Sequence, residues 1–299
     1  GTAVRGRGGA GLGFLGRGVP APEERGEACF GVKSALAFDW FARQEVDVAV
    51  IETGLGGRLD STNVLTPRVA TVTSIGLDHT DLLGDTLELI AREKAGIFKR
   101  AVPAIIGEGD PKLRAFLVEL AYEAGATPVR PVADEWTISG ISVSLEGTRF
   151  TLRTERGEQQ LRTPLIGRHQ AANTATALSM IESAGSPYAA AALHPQAALD
   201  RVRIAGRFQS VGSIIFDVAH NPDGARAVAE SILALNPPAP RTALVAVLAD
   251  KDWQGIIRAL APAVARFVLT NAPSAPSERR WDPAQSCVFA RSTGIQSHL

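Results

Sequence analysis

The sequence predicts an α/β protein of two domains, each with a mostly parallel sheet. Three observations carry that expectation. The chain has 299 residues, which exceeds one ordinary core of roughly 100–200 residues. Short β-branched runs alternate with segments of helical spacing along most of its length. The loops that follow two of those runs carry glycines and ionisable side chains, and open parallel sheets bind ligands at that edge.

Composition narrows the function classes. Hydrophobic residues make up 45% and charged residues 21%, a balance that excludes dominant disorder. No apolar run reaches the roughly 18 residues of a membrane helix. Lys+Arg and Asp+Glu are both 31, which argues against a nucleic-acid binder driven by bulk positive charge. Cys29 and Cys287 are far apart and form neither a disulfide framework nor a zinc site. No secretory signal is visible. A cytoplasmic monomer without nucleic-acid or membrane partners is the expectation. Only five lysines occur, at 33, 94, 99, 112 and 251, so each one inside a motif stands out.

Residues 1–27 are crowded with Gly and Arg. Their formal G-x-G-x-x-G at Gly6, Gly8 and Gly11 lacks the preceding strand that a dinucleotide fingerprint needs, and the segment reads as a low-complexity arm. Beyond it, Val32, Leu36 and Trp40 recur at helical spacing. VDVAVIE, residues 46–52, reads as a buried parallel strand. The glycine loop TGLGGRLDSTN follows, then a strand over residues 69–75 that ends in GLDHTD. A helix is expected over about residues 85–98, opened by the capping-box spacing of Asp85 and Glu88. PAIIGEGD and residues 113–124 give another strand and helix. Residues 130–163 turn Ser/Thr-rich and alternating, as a small antiparallel element would. A helix over about residues 169–184 precedes a hinge near residues 203–206. SIIFDVAHNPDGARAVAESIL, RTALVAVLADKD and RFVLTNAPS then read as strand–loop–helix units of the second domain. From about Gln285 no convincing pattern remains. The expected division is an arm over 1–27, a central domain over 28–203 and a C-terminal domain over 204–299.

Several residues carry candidate chemistry. Glu52 and the Asp78–His79 pair follow two expected strands, and a carboxylate and an imidazole there suit a divalent metal. The same residues also read as a loop cap and a packing histidine. In the loop between them, Gly54, Gly56 and Gly57 let backbone approach a ligand. Arg58 offers a planar fork to carboxylate or phosphate, and Asp60 lies in the same loop. Lys94 falls on the apolar stripe of Leu87, Ile90 and Ala91. An amine held there is neutral more often and can combine with carbon dioxide to form a carbamate, a carboxylate-like metal ligand. A snorkelling lysine is the competing reading. His169, Gln170 and Asn173 share one helical face, where amide groups suit a nucleobase edge or a cap. Asp217, His220 and Asn221 follow the IIF strand. Asp217 could meet ribose hydroxyls, His220 could reach phosphate, and Arg207 could add charge to the same site.

The segments VIETGLGGRLDSTN, SIGLDHTDLLGDTLELIAREKAGIFK, GRHQAANTATAL, GRF at residues 206–208 and DVAHNPDGA occur in this order. Together they resemble the folylpolyglutamate synthase/dihydrofolate synthase family of the wider Mur ligase group, over roughly residues 28–283. The resemblance implies a P-loop-type, mostly parallel central domain with a small antiparallel insertion, and a smaller Rossmann-like C-terminal domain. It implies ATP-dependent joining of L-glutamate to a folate or dihydropteroate carboxylate through an acyl phosphate. ATP and two magnesium ions are the implied cofactors. By position, Glu52 and His79 match magnesium ligands, and Lys94 matches a carbamylated lysine supporting the second metal. Asn173 matches an adenine-side contact, Arg207 a phosphate contact and Asp217 the ribose contact, with His220 beside it. The loop of Gly54, Gly56, Gly57, Arg58 and Asp60 matches a substrate loop. A different Mur-type amino-acid ligase and a non-catalytic nucleotide- or folate-binding remnant are the alternatives.

One departure from the pattern affects activity. The family's P-loop, of the form GTNGKGS, has no counterpart in these residues, whose first lysine is Lys33 in an apolar helical segment. The arm and the stretch after about Asp282 are expected to be frame-shifted remnants, the C-terminus to be truncated, and turnover by this chain to be impaired.

Overall fold

β-Branched and alanine-rich runs build the first sheet. In the structure, a computed structural model, residues 26–273 and 275–298 are described, with side chains from residue 30 onward except at 278. The Gly6/Gly8/Gly11 pattern and nearly all of the arm lie outside the described residues. Three parallel strands, β1 (Ala70–Val72), β2 (Ala104–Ile106) and β3 (Val129–Pro131), lie side by side in that order. Ahead of them comes helix α1 (Gly26–Arg43), and between them lie α2 (Thr80–Leu83), α3 (Leu87–Ala95) and α4 (Pro111–Glu123). On one face of the sheet, Ala91, Ala95 and Phe98 join Leu117, Leu120 and Ala121 over Ala70, Val72, Ala104 and Ile106. Each large side chain fully buried there contributes about 1.5–3 kcal/mol.

The other face is covered by the expected antiparallel element. After the one-turn helix α5 (Val132–Glu135), strands β4 (Thr137–Ser144), β5 (Gly147–Thr154) and β6 (Gly157–Thr163) form a meander. Alternation along β5 turns Phe150 and Leu152 inward, where they meet Ile105, Trp136 and Leu161. Helix α6 (His169–Ser183) adds Ala171, Ala175 and Leu178 to the same cluster, and the one-turn helix α7 (Gln196–Leu199) follows.

The remainder builds a separate core. A hairpin of β7 (Gln209–Val211) and β8 (Ile214–Phe216) leads into α8 (Pro222–Leu235). A parallel sheet of order β11–β10–β9 follows, from β9 (Thr242–Val245), β10 (Arg266–Leu269) and β11 (Gln296–His298). Helices α9 (Trp253–Leu260) and α10 (Pro283–Ser292) complete it. Phe267 and Ile257 are fully buried, and Trp253 stands edge-on to Phe289, ring centroids 5.4 Å apart.

Four expectations are corrected. Residues 46–52 form no strand and bend at Asp47, with Val48 and Val50 50% and 58% exposed. Backbone of this kind needs flanking strands to close its ladder, and none lies beside it among the described residues. The α3 cap is Thr86, whose side chain accepts from Leu89 N, so Asp85 and Glu88 form no capping box. β8 pairs antiparallel with β7 and not within the parallel sheet. The stretch after Asp282 is ordered: Asp282 caps α10, which buries Cys287 and Ala290, and β11 extends the sheet. Its weak apolar periodicity hid a short helix whose inward positions are small residues.

Candidate functional site

The glycine loop is clamped onto α3. Asp60 Oδ2 accepts from the backbone N–H of Gly54 and Leu55 at 2.8 and 2.9 Å, while Oδ1 accepts from Thr62 N and its hydroxyl. Burial pushes the Asp60 carboxyl up, but these donors outweigh it and hold the group below its ordinary 3.8. Gly56 turns at φ 63°, a left-handed conformation that favours glycine. A Cβ at Gly57 would lie 2.8 Å from the Glu93 carbonyl oxygen and 2.9 Å from that of Lys94, so only glycine lets the loop lie flat on the helix. Arg58 is no free fork. Its Nε and Nη2 both donate to Glu93 Oε1, at 3.1 and 2.9 Å. Lys94 is half-buried beside the inward-facing Ile90, Ala91 and Ala95; its carbonyl accepts from Gly96 N and Ile97 N, while its side chain has no hydrogen bond or ion pair among the described residues. Glu52 is exposed in the irregular segment that enters this loop.

The loop after β1 meets the second core. His79 adopts φ 51° at the start of α2. Its Nε2 lies 3.0 Å from Lys251 Nζ, which also donates to Asp78 Oδ1 at 2.8 Å. The other Asp78 oxygen faces His220 Nε2 and Asn221 Nδ2, each at 3.5 Å. Burial raises the Asp78 carboxyl, yet the hydrogen bond and charge of Lys251, with His79 and Asn221, bring it below 3.8 overall. The local sequence explains the aim of each group. Asn221 caps α8 by accepting from Gly224 N, with Pro222 next in line, and Asp252 caps α9 by accepting from Gly255 N. His220 and Lys251 each stand one residue before such a cap. Lys251 and the bridging place of Asp78 carried no signal in the sequence, because each is fixed by partners in the other core.

A third group gathers at the start of α6. Gln170 Nε2 lies 2.9 Å from His169 Nε2, and Asn173 Nδ2 donates to Gln170 Oε1 at 3.2 Å, so the expected shared face exists. Burial lowers the His169 pKa below 6.5; the charges of Asp217 and Glu230 oppose this and that of Arg207 adds to it. Those charges show that the second core reaches this helix end. Asp217 is half-buried with both oxygens engaged, accepting from Phe208 N and Ala219 N at 2.8 Å each. It thereby fastens the GRF turn to the end of β8, and Arg207 projects from that turn.

The expected residues therefore form one loop-on-helix platform, one Asp78 junction and one helix-end cluster. Among the described residues, the His79 side chain is hydrogen-bonded to Lys251 and neighbours Asp78, with no hydrogen bond or ion pair to Glu52 or Lys94. Among the described residues no group of three or more His, Cys, Asp or Glu side chains could hold a metal ion. No described helix is long and apolar enough to cross a membrane.

Comparison with known proteins is decisive for ancestry. The Mur ligase middle domain matches residues 30–181, and the Mur ligase glutamate ligase domain matches residues 206–295. The chain belongs to the Mur ligase family. Within it, the chain is similar to dihydrofolate synthase/folylpolyglutamate synthase proteins. It is 37% identical to the dihydrofolate synthase/folylpolyglutamate synthase of Escherichia coli, over 76% of this chain and 51% of that protein. It is 35% identical to the Mycobacterium tuberculosis protein of the same name, over 86% and 54%. The structure of Mycobacterium tuberculosis folylpolyglutamate synthase complexed with ADP is similar at TM-score 0.78 and 34% identity, covering 90% of this chain and 62% of that one. The chain thus spans about half the length of the curated relatives it matches. The glutamate ligase match to residue 295 also overturns a frame-shifted origin for the stretch after Asp282.

Proposed function

We propose that this chain supplies most of the central and C-terminal parts of an ATP-dependent ligase that joins L-glutamate to a folate or dihydropteroate carboxylate. The single observation that carries the reading is the Asp78 junction: groups from both matched domains face one another there within 3.5 Å. A ligase that gathers nucleotide, acyl acceptor and amine needs such a cleft between two lobes. The domain division is placed near residue 204, ahead of the GRF turn.

Residue roles follow from position. Asn173 and its amide neighbour Gln170 face the adenine side, Asp217 holds the turn that presents Arg207 toward phosphate, and His220 stands beside them. The glycine loop, braced by Asp60 and Arg58, shapes the acyl-acceptor side. His79 and Glu52 would hold magnesium, with Lys94 as a carbamate supporting a second ion. Asp78 Oδ1 and His79 Nε2 already hold the Lys251 ammonium between them. Among the described residues, Glu52 and Lys94 share no hydrogen bond or ion pair with that corner, and no group of three such side chains could hold a metal ion, so the residues present do not by themselves complete a magnesium site. The chain's own groups orient the two substrates, and closure of the lobes excludes water.

The 299 residues contain no Gly-Lys-Ser/Thr run, so little turnover is expected from this polypeptide by itself. Binding and turnover are tested separately: dihydropteroate and tetrahydrofolate against a UDP-linked muropeptide by calorimetry, and ATP- and glutamate-dependent product by mass spectrometry. Pteridine binding with little product supports the reading. A preference for the muropeptide contradicts the folate assignment, and robust turnover contradicts impairment.

A further inference from the structure

We propose that Glu108 is the positioning residue of the Asp78 junction: its buried carboxylate fixes where the β1 loop leaves the sheet, and so where Asp78 meets the second lobe. The proposal rests on the reading of that junction as part of the cleft. The β1–β2 ladder pairs Ala70 with Ala104, Thr71 with Ile105 and Val72 with Ile106, and it closes with Gly107 N donating to Val72 O at 2.8 Å. Beyond that point the Ile75 N–H has no backbone acceptor among the described residues. Glu108 supplies one from its side chain. Its Oε2 accepts from Ile75 N at 2.6 Å, and its Oε1 accepts from Asp110 N at 2.8 Å.

Glu108 differs from an ordinary turn residue. It is 6% exposed and has no ion pair among the described residues. A carboxylate buried without an opposite charge is costly, yet glutamine offers one acceptor oxygen and not two, so only the acid answers both N–H groups. The turn that carries it is braced. Arg114 Nη1 donates to the Glu108 and Gly109 carbonyls at 3.1 and 2.9 Å, while Nε donates to Asp134 Oδ1 at 2.8 Å. A Cβ at Gly107 would lie 2.7 Å from Thr176 Oγ1 and 2.9 Å from Thr73 O, so β2 is pinned between α6 and β1 just before Glu108. The loop held at Ile75 leads straight to the second lobe. Gly76 passes against the Asp223 carboxylate of α8, and Asp78 then meets Lys251, His220 and Asn221 at 2.8–3.5 Å. Contacts of that kind weaken steeply with misalignment, so a shift at Ile75 is felt at Asp78.

The test measures the Asp78–Lys251 coupling by a double-mutant cycle, Asp78→Asn with Lys251→Met, on urea unfolding of the full chain. The cycle is repeated in Glu108→Gln, Glu108→Ala and Ile106→Val backgrounds. Ile106 is fully buried in the same sheet, so Ile106→Val lowers stability without touching the loop. Circular dichroism checks folding, and Glu108→Gln carries the comparison if Glu108→Ala does not fold. Glu108→Ala should remove about half or more of the coupling and Glu108→Gln a smaller share, with Ile106→Val leaving it whole. Equal coupling in every background overturns the proposal and leaves the junction standing. A loss in Ile106→Val as large as in the Glu108 variants also overturns it, because Glu108 then acts through stability alone. If the unaltered chain shows no coupling, the junction itself fails and this proposal with it.

Discussion

His169 and Asp60 show how single side chains are made dependable at this site. Burial lowers the His169 pKa below 6.5. As pH falls below 6.5 the unfolded chain therefore takes up its proton first, stability drops through that window, and the loss is complete below the folded value. His169→Gln should flatten the pH dependence of the urea midpoint as pH falls below 6.5; an unchanged slope would contradict the assignment. Asp60 works in the opposite sense. Its folded pKa is below 3.8, so its contribution is present above that value and is lost as pH falls through the folded one. It also answers three backbone N–H groups and a hydroxyl. Asp60→Ala should cost about 1–3 kcal/mol in urea unfolding at neutral pH, whereas a cost near zero would mean water replaces the carboxylate without loss.

At the scale of elements, close approach decides which glycines matter. Gly57→Ala must push the loop off α3 and should destabilise by about 1–3 kcal/mol. Gly31 sits in α1, and a methyl added there would meet nothing within 4 Å, so Gly31→Ala should stabilise by about 0.5–1 kcal/mol through backbone entropy alone. Thermal melts that rank the two the other way would show that α1 and the loop pack differently. The elements best read from sequence are those whose signal is local. The Leu87/Ile90/Ala91 stripe marked α3, the alternation within residues 130–163 marked the meander, and the strand–loop–helix pattern of SIIFDVAHNPDGARAVAESIL marked α8. Elements that depend on distant partners were missed. Residues 46–52 have strand composition but no ladder partner among the described residues, and α10 turns small Ser286, Cys287 and Ala290 inward, leaving no apolar stripe to see. The Arg58–Glu93 pair and Lys251 were illegible for the same reason, since each is fixed by contacts that only the fold creates.

At the scale of the whole molecule, two features pull in different directions. Apolar side chains at Val50, Ile214, Phe216 and Leu244 are 50–70% exposed, and open strand edges beside such residues invite association. The isolated polypeptide should enhance the fluorescence of a hydrophobic dye, and Val50→Lys should reduce that signal while leaving the melting temperature in place; equal dye binding by both would place the sticky surface elsewhere. Against this stands the junction that draws the two lobes together through Asp78. The most direct measurement of that convergence is a double-mutant cycle on unfolding stability with Asp78→Asn and Lys251→Met. A coupling of about 1–2 kcal/mol is expected for a largely desolvated, hydrogen-bonded ion pair. Strictly additive effects would mean that the β1 loop and the α9 cap do not meet in solution, and that no shared cleft exists for the nucleotide.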